Sequence, residues 1–192
     1  MSQENVEHGV RIPTTGLNTT RKRRTLDERV FVRFPTLYRG FAALWSRLPL
    51  RSRLRRLILL RITSQATSAG NRRDFDVLLT GFDPQIDFRV VGGSWGMVAP
   101  DVIGHHHGHA GYREVWGQVL ESFEDWTLEP EELIDLGHHL ISVTRMSGHG
   151  AGSGAPVSQR VFQVYTFRRG LVVKQEDFGD RGEALEAAGL RE

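Results

Sequence analysis

Hydrophobic spacing in the first third of the chain predicts two helices separated by a proline. Apolar residues recur at helical spacing from Leu37 to Leu48. Pro35 suits the first position of this helix, and Pro49 is expected to break it. A second apolar stripe predicts another helix over about residues 50–69.

The remaining pattern predicts mainly strands, with one long helix among them. The four last strands follow one another without an intervening helix, which favours an antiparallel meander. Helices first and a meander last indicate an α+β fold in which a curved sheet wraps over helices. The predicted elements are a short helix at 74–79, a strand at 86–91, a glycine-containing loop at 92–104, a helix at 108–123, strands at 126–136, 140–148, 157–168 and 171–178, and a terminal helix at 183–188.

The chain begins with a polar segment that shows no apolar periodicity. Residues 1–24 are therefore predicted to be a disordered basic tail. Residues 25–63 are predicted to form a helical N-terminal extension, and residues 64–192 the main domain.

The charge of the chain is distributed unevenly. Residues 1–61 hold 14 Lys/Arg and 4 Asp/Glu, whereas residues 62–192 hold 11 and 19. A basic arm can contact nucleic acid, anionic lipid or the acidic body itself, and packing on the body is the favoured interpretation. Its arginines alternate with core-type leucines and its tail lacks aromatics for base stacking, so no nucleic-acid binding is expected. A regulatory role at nucleic acid or membrane would require that four arginines face solvent: Arg51, Arg53, Arg55 and Arg56.

Composition excludes several classes of function. The chain has no cysteine, which rules out disulfides and thiolate chemistry and fits a cytoplasmic location. No apolar run reaches the length of a membrane span, and residues 1–10 lack the layout of a signal peptide. Dinucleotide, P-loop and GxSxG motifs are missing, so no cofactor is expected.

Several short motifs resemble those of the SnoaL-like branch of the nuclear-transport-factor-like superfamily. They are NRRDF at 71–75, FDPQIDF at 82–88, GHAGYREVW at 108–116, GLVV at 170–173 and EDF at 176–178. The resemblance covers residues 64–188. It implies a cone-shaped fold, a homodimer and one mostly apolar pocket between the sheet and the helices. Family members include polyketide cyclases, dehydratases, isomerases, epoxide hydrolases and binding domains without activity, so the fold does not fix the function.

Asp177 is the first candidate for catalysis. The resemblance implies that the aspartate of the closing motif points into the pocket, where an apolar surrounding raises the pKa of a carboxyl. Such a group can act as a general acid or base near neutral pH. The alternative is a structural hydrogen bond. The Arg-x-Asp pair of family epoxide hydrolases is absent from residues 138–142, which argues against epoxide opening.

Strand alternation gives a prediction for the face on which Asp177 lies. The turn at Arg169 and Gly170 is expected to place Leu171, Val173, Gln175 and Asp177 together on the inner face. Gln163 and His107 are candidate partners of the carboxylate.

The histidine run at 105–109 is the most unusual local feature. A metal site is the least favoured interpretation, because consecutive residues point in different directions, and no metal is predicted. His107 and His109 are candidates for acid–base catalysis at the pocket mouth. The remaining interpretation is that the imidazoles cap the helix that begins at Gly108.

Aromatic and amide side chains are candidates for the wall of the pocket. The predicted ligand-binding residues are Phe88, Trp95, Met97, Trp116, Gln163 and Gln175. A homodimer is expected to form on an open face of the sheet, because one strand is predicted to expose four apolar side chains: Val157, Val161, Tyr165 and Phe167. The predicted function is binding of a small hydrophobic molecule, with turnover as a lyase, isomerase or cyclase, or alternatively a binding or dimerisation module without catalysis.

Overall fold

The computed structural model describes residues 9–92 and 100–190 of the chain. Two predicted pocket residues, Trp95 and Met97, lie outside the described residues. The described helices are α1 (Leu26–Arg33), α2 (Pro35–Trp45), α3 (Arg53–Asn71), α4 (Phe75–Leu78), α5 (Gly108–Glu121) and α6 (Arg181–Ala187). The described strands are β1 (Val10–Pro13), β2 (Phe82–Val90), β3 (Gly104–His107), β4 (Phe123–Asp135), β5 (His139–Gly150), β6 (Pro156–Arg168) and β7 (Leu171–Phe178).

The strands form one sheet in the order β1-β4-β5-β6-β7-β2-β3. Neighbouring strands are antiparallel except for β2 and β7, which run parallel. Bulges or irregularities interrupt the pairing in four places, and bulges bend the strands that carry them. The result is a curved sheet around helices, which confirms the α+β fold predicted from the sequence.

The core has three apolar clusters. One lies between the sheet and α5, and a second lies between the sheet and α2 and α3. The third lies on the opposite, outer face of the sheet, where α6 packs against Ile141, Val164 and Phe178. The inner face therefore meets two separate groups of helices.

Residues 9–24, which belong to the segment predicted as a disordered tail, are ordered. Residues 10–13 form β1, which pairs with β4 and buries Ile12. The hydroxyls of Ser64 and Ser68 donate to the carbonyl of Asn18, which fastens the next stretch to α3. Sequence analysis missed β1 because a single edge strand of four residues has too few apolar positions to show a period.

The predicted boundary at residue 64 falls inside α3, which runs through it without a break. The prediction also missed α1, although its start carries a T-x-x-E signature. The Glu28 carboxylate accepts from the Thr25 backbone N–H at 2.9 Å, as expected for a capping box.

A buried ion pair fixes α3 to the sheet. The guanidinium of Arg55 donates to both carboxylate oxygens of Asp135, at 2.6 and 2.9 Å, and to the carbonyl of Gly137 at 2.8 Å. Of the four arginines that a regulatory role at nucleic acid or membrane would require to face solvent, Arg55 does not, because its side chain is 2% exposed. The three others, Arg51, Arg53 and Arg56, are exposed.

The β6–β7 hairpin turns at Arg169 and Gly170, as predicted. Both residues have positive φ, 53° and 76°, which is typical of a tight two-residue turn. A bulge at Val173 then shifts the register, because Thr166 pairs with Lys174 and Phe167 pairs with Val172. The predicted alternation is therefore wrong on the N-terminal side of the bulge, because Val172, which it placed on the outer face, lines the cavity. Leu171 still packs against the cluster between the sheet and α2 and α3.

The apolar face proposed as a dimer surface is not open. Val161, Tyr165 and Phe167 pack against the core between the sheet and the helices. The homodimer stays a prediction, but this argument for it is wrong. Among the described helices, none is long and apolar enough to cross a lipid bilayer.

Candidate functional site

A cavity of about 140 Å³ lies between the inner face of the sheet and helices α1 to α5. Its lining is mostly apolar and aromatic. The family-like part of the chain contributes Tyr112, Trp116, Trp126, Leu128, Tyr165, Phe167 and Val172, among others. The N-terminal extension contributes Glu28, Phe31, Tyr38, Trp45, Leu59 and Ile62. The extension thus forms one wall of the cavity.

Asp177 is completely buried near the end of β7. Its carboxylate accepts a hydrogen bond at 2.8 Å from the side-chain amide of Gln175. The side-chain amide of Gln163 donates to both oxygens at 3.4 Å. Asp177 does not itself line the cavity; Gln163 does. The prediction that Asp177 lines the pocket directly is therefore corrected, because Gln163 stands between them.

Burial raises the pKa of Asp177 from its ordinary value of 3.8 to about 7. The cause is the loss of solvation of the charged form in an apolar surrounding. The hydrogen bonds from Gln175 and Gln163 act in the opposite direction, but they offset only part of the effect. Near neutral pH the carboxyl is therefore present in both the protonated and the ionised state.

A chain of polar side chains leads from Asp177 along the cavity wall. The Thr144 hydroxyl donates to the side-chain oxygen of Gln163 at 3.2 Å, and it shares a hydrogen bond of 3.1 Å with the hydroxyl of Ser142. Ser142, Thr144 and Gln163 all line the cavity. Sequence analysis found Gln163 but not the two hydroxyl residues. Their signal was the alternation of β5, which places small hydroxyls among the apolar residues of its inner face.

Two buried tyrosines interact electrostatically with the carboxyl. Burial raises the pKa of Tyr112 and of Tyr165, and the charge of Asp177 raises both further. Tyr112 and Tyr165 also line the cavity. Both phenols are therefore neutral when Asp177 titrates, and they are available as hydrogen-bond donors to a ligand.

Polar atoms without partners occur at three cavity residues. Among the described residues, no partner is found for the buried Glu28 Oε1, Trp45 Nε1 and Trp126 Nε1 atoms. The other oxygen of Glu28 is engaged by Arg72 at 2.9 Å. Buried polar groups are seldom left unpaired in native structures, so these atoms suit hydrogen bonds with a bound molecule. Glu28 was missed because it belongs to a helix that the sequence pattern did not predict.

His105, His106 and His107 lie in β3, and His109 lies in the first turn of α5. The pairing of β3 with β2 brings the rings of His105 and His107 to one side of Asp87, with Nδ1–Oδ1 distances of 3.8 and 3.7 Å. The His107 side chain is 73% exposed and makes no capping hydrogen bond to α5. His109 contacts the carbonyl of Phe82 at 3.3 Å. Neither His107 nor His109 lines the cavity, so the structure does not bring these predicted catalytic residues to it.

Of the remaining predicted ligand-binding residues, some line the cavity and others are buried behind the lining. Trp116 and Gln163 line the cavity, whereas Phe88 and Gln175 are buried behind its lining. Phe88 packs against Tyr112 with ring centroids 4.9 Å apart. Within residues 9–92 and 100–190, no group of three or more His, Asp or Glu side chains is arranged to hold a metal ion.

Comparison with known proteins identifies similar folds. A putative isomerase from Rhodopseudomonas palustris is 26% identical with a TM-score of 0.52, over 68% of this chain and 94% of that one. TerC, co-crystallized with polyporic acid, is 20% identical with a TM-score of 0.55, over 66% and 95% of the two chains. An NTF2-like protein of unknown function from Burkholderia pseudomallei has the same identity and TM-score, over 66% and 94%.

None of the curated proteins matches the chain. The SnoaL-like domain, by contrast, matches residues 65–175, which include α4, α5, β2 to β6 and the first half of β7. The matched segment contains most of the cavity wall and the Gln163 side chain, and it ends two residues before Asp177. The match spans more than half of the chain, and the chain belongs to the SnoaL-like domain family.

Proposed function

We propose that the protein binds a small, mostly apolar molecule in this cavity and transfers a proton on it by means of Asp177. The observation that carries the proposal is a fully buried carboxyl, with a pKa of about 7, at the end of a polar chain that reaches the cavity. An acid or base is most effective when its pKa lies near the working pH.

The two amides that contact Asp177 differ in strength. The 2.8 Å bond from Gln175 is of ordinary length, whereas the 3.4 Å contacts from Gln163 are at the long limit. A ligand that displaces the Gln163 amide therefore breaks only weak contacts and gains access to the carboxylate. In this account the Gln175 amide fixes the position of the Asp177 carboxyl. The Gln163 side chain covers the carboxyl until a ligand displaces it.

The lining defines the chemical class of the ligand. Its aromatic walls suit a flat ring system, and its unpartnered atoms suit a few hydroxyl or carbonyl groups. Ionised Asp177 would remove a proton from a carbon next to a carbonyl, and the protonated acid would return it at another position. Neutral Tyr112 and Tyr165 would donate hydrogen bonds to the oxygen that gains charge. This sequence of steps is that of an isomerase, and a lyase or cyclase can use the same first step.

The comparisons support the class of ligand. TerC is a protein of this fold that was co-crystallized with polyporic acid, and the Rhodopseudomonas palustris protein is described as a putative isomerase. The alternative function is ligand binding without turnover. It is favoured by one observation, namely that Gln163 separates Asp177 from the cavity.

The test uses 2-tetralone, an apolar ring pair with one carbonyl and exchangeable C–H protons. Binding is measured by ligand-detected NMR, and proton removal is measured as deuterium uptake from D2O. We expect wild-type protein to bind the ketone and to accelerate exchange above the buffer rate. Asp177→Asn should bind it but lose the acceleration, and Asp101→Asn, an exposed carboxylate outside the cavity, should behave like wild type.

A cavity-filling change separates the cavity from the rest of the surface. Ala66→Phe places a ring in the lining and should abolish both binding and exchange. If the wild-type protein binds the ketone but does not accelerate exchange at any of the pH values tested between 6 and 9, the alternative function, ligand binding without turnover, is favoured. Unchanged binding by Ala66→Phe, with its fold confirmed by circular dichroism, would show that the cavity is not the site.

A further inference from the structure

The outer surface of the N-terminal helices is unusually apolar. Seven of the eight large hydrophobic side chains that are exposed among the described residues lie between residues 26 and 57. They are Leu26, Val30, Phe34, Leu37, Leu44, Leu54 and Leu57, with exposures between 43% and 79%. We call these seven residues the apolar face. Scattered exposed leucines are common, but this concentration in one segment marks an interaction surface.

Exposed arginines are interspersed among the residues of the apolar face. Seven exposed arginines occur in the same segment: Arg29, Arg33, Arg39, Arg47, Arg51, Arg53 and Arg56. Within the described part of the chain, none of them has a carboxylate within ion-pair distance. The two acids of residues 25–63 are already engaged, Asp27 by Arg61 and Glu28 by Arg72. The surface therefore offers positive charge that the protein itself does not neutralise.

The three helices turn their other sides toward the body. α2 buries Tyr38, Ala42 and Trp45, and the Trp45 ring packs edge-on against Phe167 of β6. Arg55 lies over the Trp45 ring at 5.3 Å and ties the start of α3 to the end of α2. This brings Leu44, Arg47 and the exposed arginines and leucines of the first turns of α3 to one corner of the molecule.

The charges at the start of α3 strengthen the argument. Arg53 and Arg56 stand in its first turn, where the positive end of the helix dipole disfavours cations. Such a placement is unfavourable for the isolated helix, and an external anion would relieve it.

We propose that the apolar face and its arginines dock on the surface of an anionic lipid bilayer. Leucine and phenylalanine side chains would enter the interface between headgroups and acyl chains, while the arginines contact lipid phosphates. A second copy of the chain fits less well, because a symmetric contact would bring two sets of unneutralised arginines together. Nucleic acid fits less well too, because it would leave the leucines in water.

Docking would place the cavity next to the membrane. Phe31, Tyr38 and Trp45, which line the cavity, belong to the same helices whose opposite sides carry the apolar face. This part of the account does not depend on what occupies the cavity or on Asp177.

Vesicle flotation with the full chain tests the proposal. Vesicles of phosphatidylglycerol and phosphatidylcholine in equal parts are compared with vesicles of phosphatidylcholine alone. Wild-type protein should float with the anionic vesicles and remain largely unbound with the neutral ones. Leu44→Gln/Leu57→Gln and Arg53→Gln/Arg56→Gln should each lower the partition coefficient at least tenfold. All four positions are exposed, so the fold should be kept.

A matched control changes one exposed apolar residue and one exposed arginine elsewhere. Ile103→Gln/Arg168→Gln should float like wild type. The proposal is overturned if wild-type protein does not float with anionic vesicles, or if it binds neutral vesicles equally well. It is also overturned if the Leu44→Gln/Leu57→Gln variant floats as well as wild type. A further contrary result is a wild-type dimer in sedimentation that this double substitution dissociates, with no flotation of the wild type.

Discussion

At the scale of single residues, the state of Asp177 results from a competition between burial and hydrogen bonding. Complete burial favours the neutral acid, and two amide donors favour the carboxylate. Burial wins, which leaves the group near its midpoint at neutral pH. The position of Asp177 at the strand end was anticipated from the closing motif, but its separation from the cavity by Gln163 depends on side-chain packing that spacing does not encode.

Asp177 should make the protein less stable as the pH rises. Its pKa is 3.8 when unfolded and about 7 when folded, so the folded state binds more protons between these values. Stability should therefore fall as the pH rises from about 4 to about 7, by on the order of 4 kcal/mol. Asp177→Asn removes this dependence. Thermal unfolding should give the variant a melting temperature several degrees above wild type at pH 8, and an equal one at pH 4.

The control for this measurement is Asp101→Asn, whose exposed carboxylate should leave the pH profile of wild type unchanged. A variant Asp177→Asn that is less stable than wild type at pH 8 would mean that the carboxylate is a structural hydrogen-bond acceptor. In that case the acid–base proposal would lose its basis.

At the scale of elements, the β6–β7 hairpin shows both what local sequence specifies and where it stops. Arg169 and Gly170 predict a tight turn because glycine takes positive φ at little cost. The bulge at Val173 places Val172 in the core cluster between the sheet and the helices, and no local sequence signature marks it. One extra residue reverses the alternation of side chains. That alternation was therefore predicted correctly only for the residues that follow the bulge in β7.

Gly170→Ala should destabilise the protein strongly. An added Cβ would lie 2.1 Å from the carbonyl oxygen of Ala42 in α2, in addition to the strain of a φ of 76°. The strain alone costs about 1–2 kcal/mol, and the clash should raise the loss in the free energy of unfolding to about 3 kcal/mol or more. Urea unfolding measures this loss.

Gly152→Ala is the matched control for the hairpin variant. Gly152 has a φ of 75°, and no atom lies within 4 Å of its added Cβ. Its loss should be about 1 kcal/mol, from strain alone. Equal losses in the two variants would contradict the close contact between the hairpin and α2.

At the scale of the whole molecule, the N-terminal extension and the SnoaL-like domain form one structure. α3 crosses the boundary between them, β1 extends the sheet, and α1 and α2 contribute residues to the lining of the cavity. The pattern of the sequence predicted the α+β order, the long helices and all four strands of the meander. It could not predict β1 or α1, which are short and are held by contacts with distant segments.

The Arg55–Asp135 pair should be essential to this union. Arg55→Met leaves a buried carboxylate without its cation, which costs about 3–5 kcal/mol. For a chain of this size the melting temperature should fall by about 10 °C, because each kcal/mol lowers it by about 2–4 °C. Differential scanning calorimetry is the appropriate measurement.

Two further variants serve as controls for the effect of Arg55→Met. Arg53→Met changes an exposed arginine two residues away and should alter stability by no more than about 0.5 kcal/mol. Arg55→Met/Asp135→Leu removes both charges and should recover part of the loss. A melting temperature unchanged by Arg55→Met alone would show that the extension does not depend on this pair.

The central claim is that a buried carboxyl, near its midpoint at neutral pH, serves the cavity. Titration of the side-chain carboxyl carbons by 13C NMR, with Asp177→Asn used to assign the resonance, tests it most directly. The account predicts a midpoint near 7 for Asp177, and a shift of that midpoint when 2-tetralone is added. A midpoint below 4, or one that does not respond to a ligand that binds in the cavity, would contradict it.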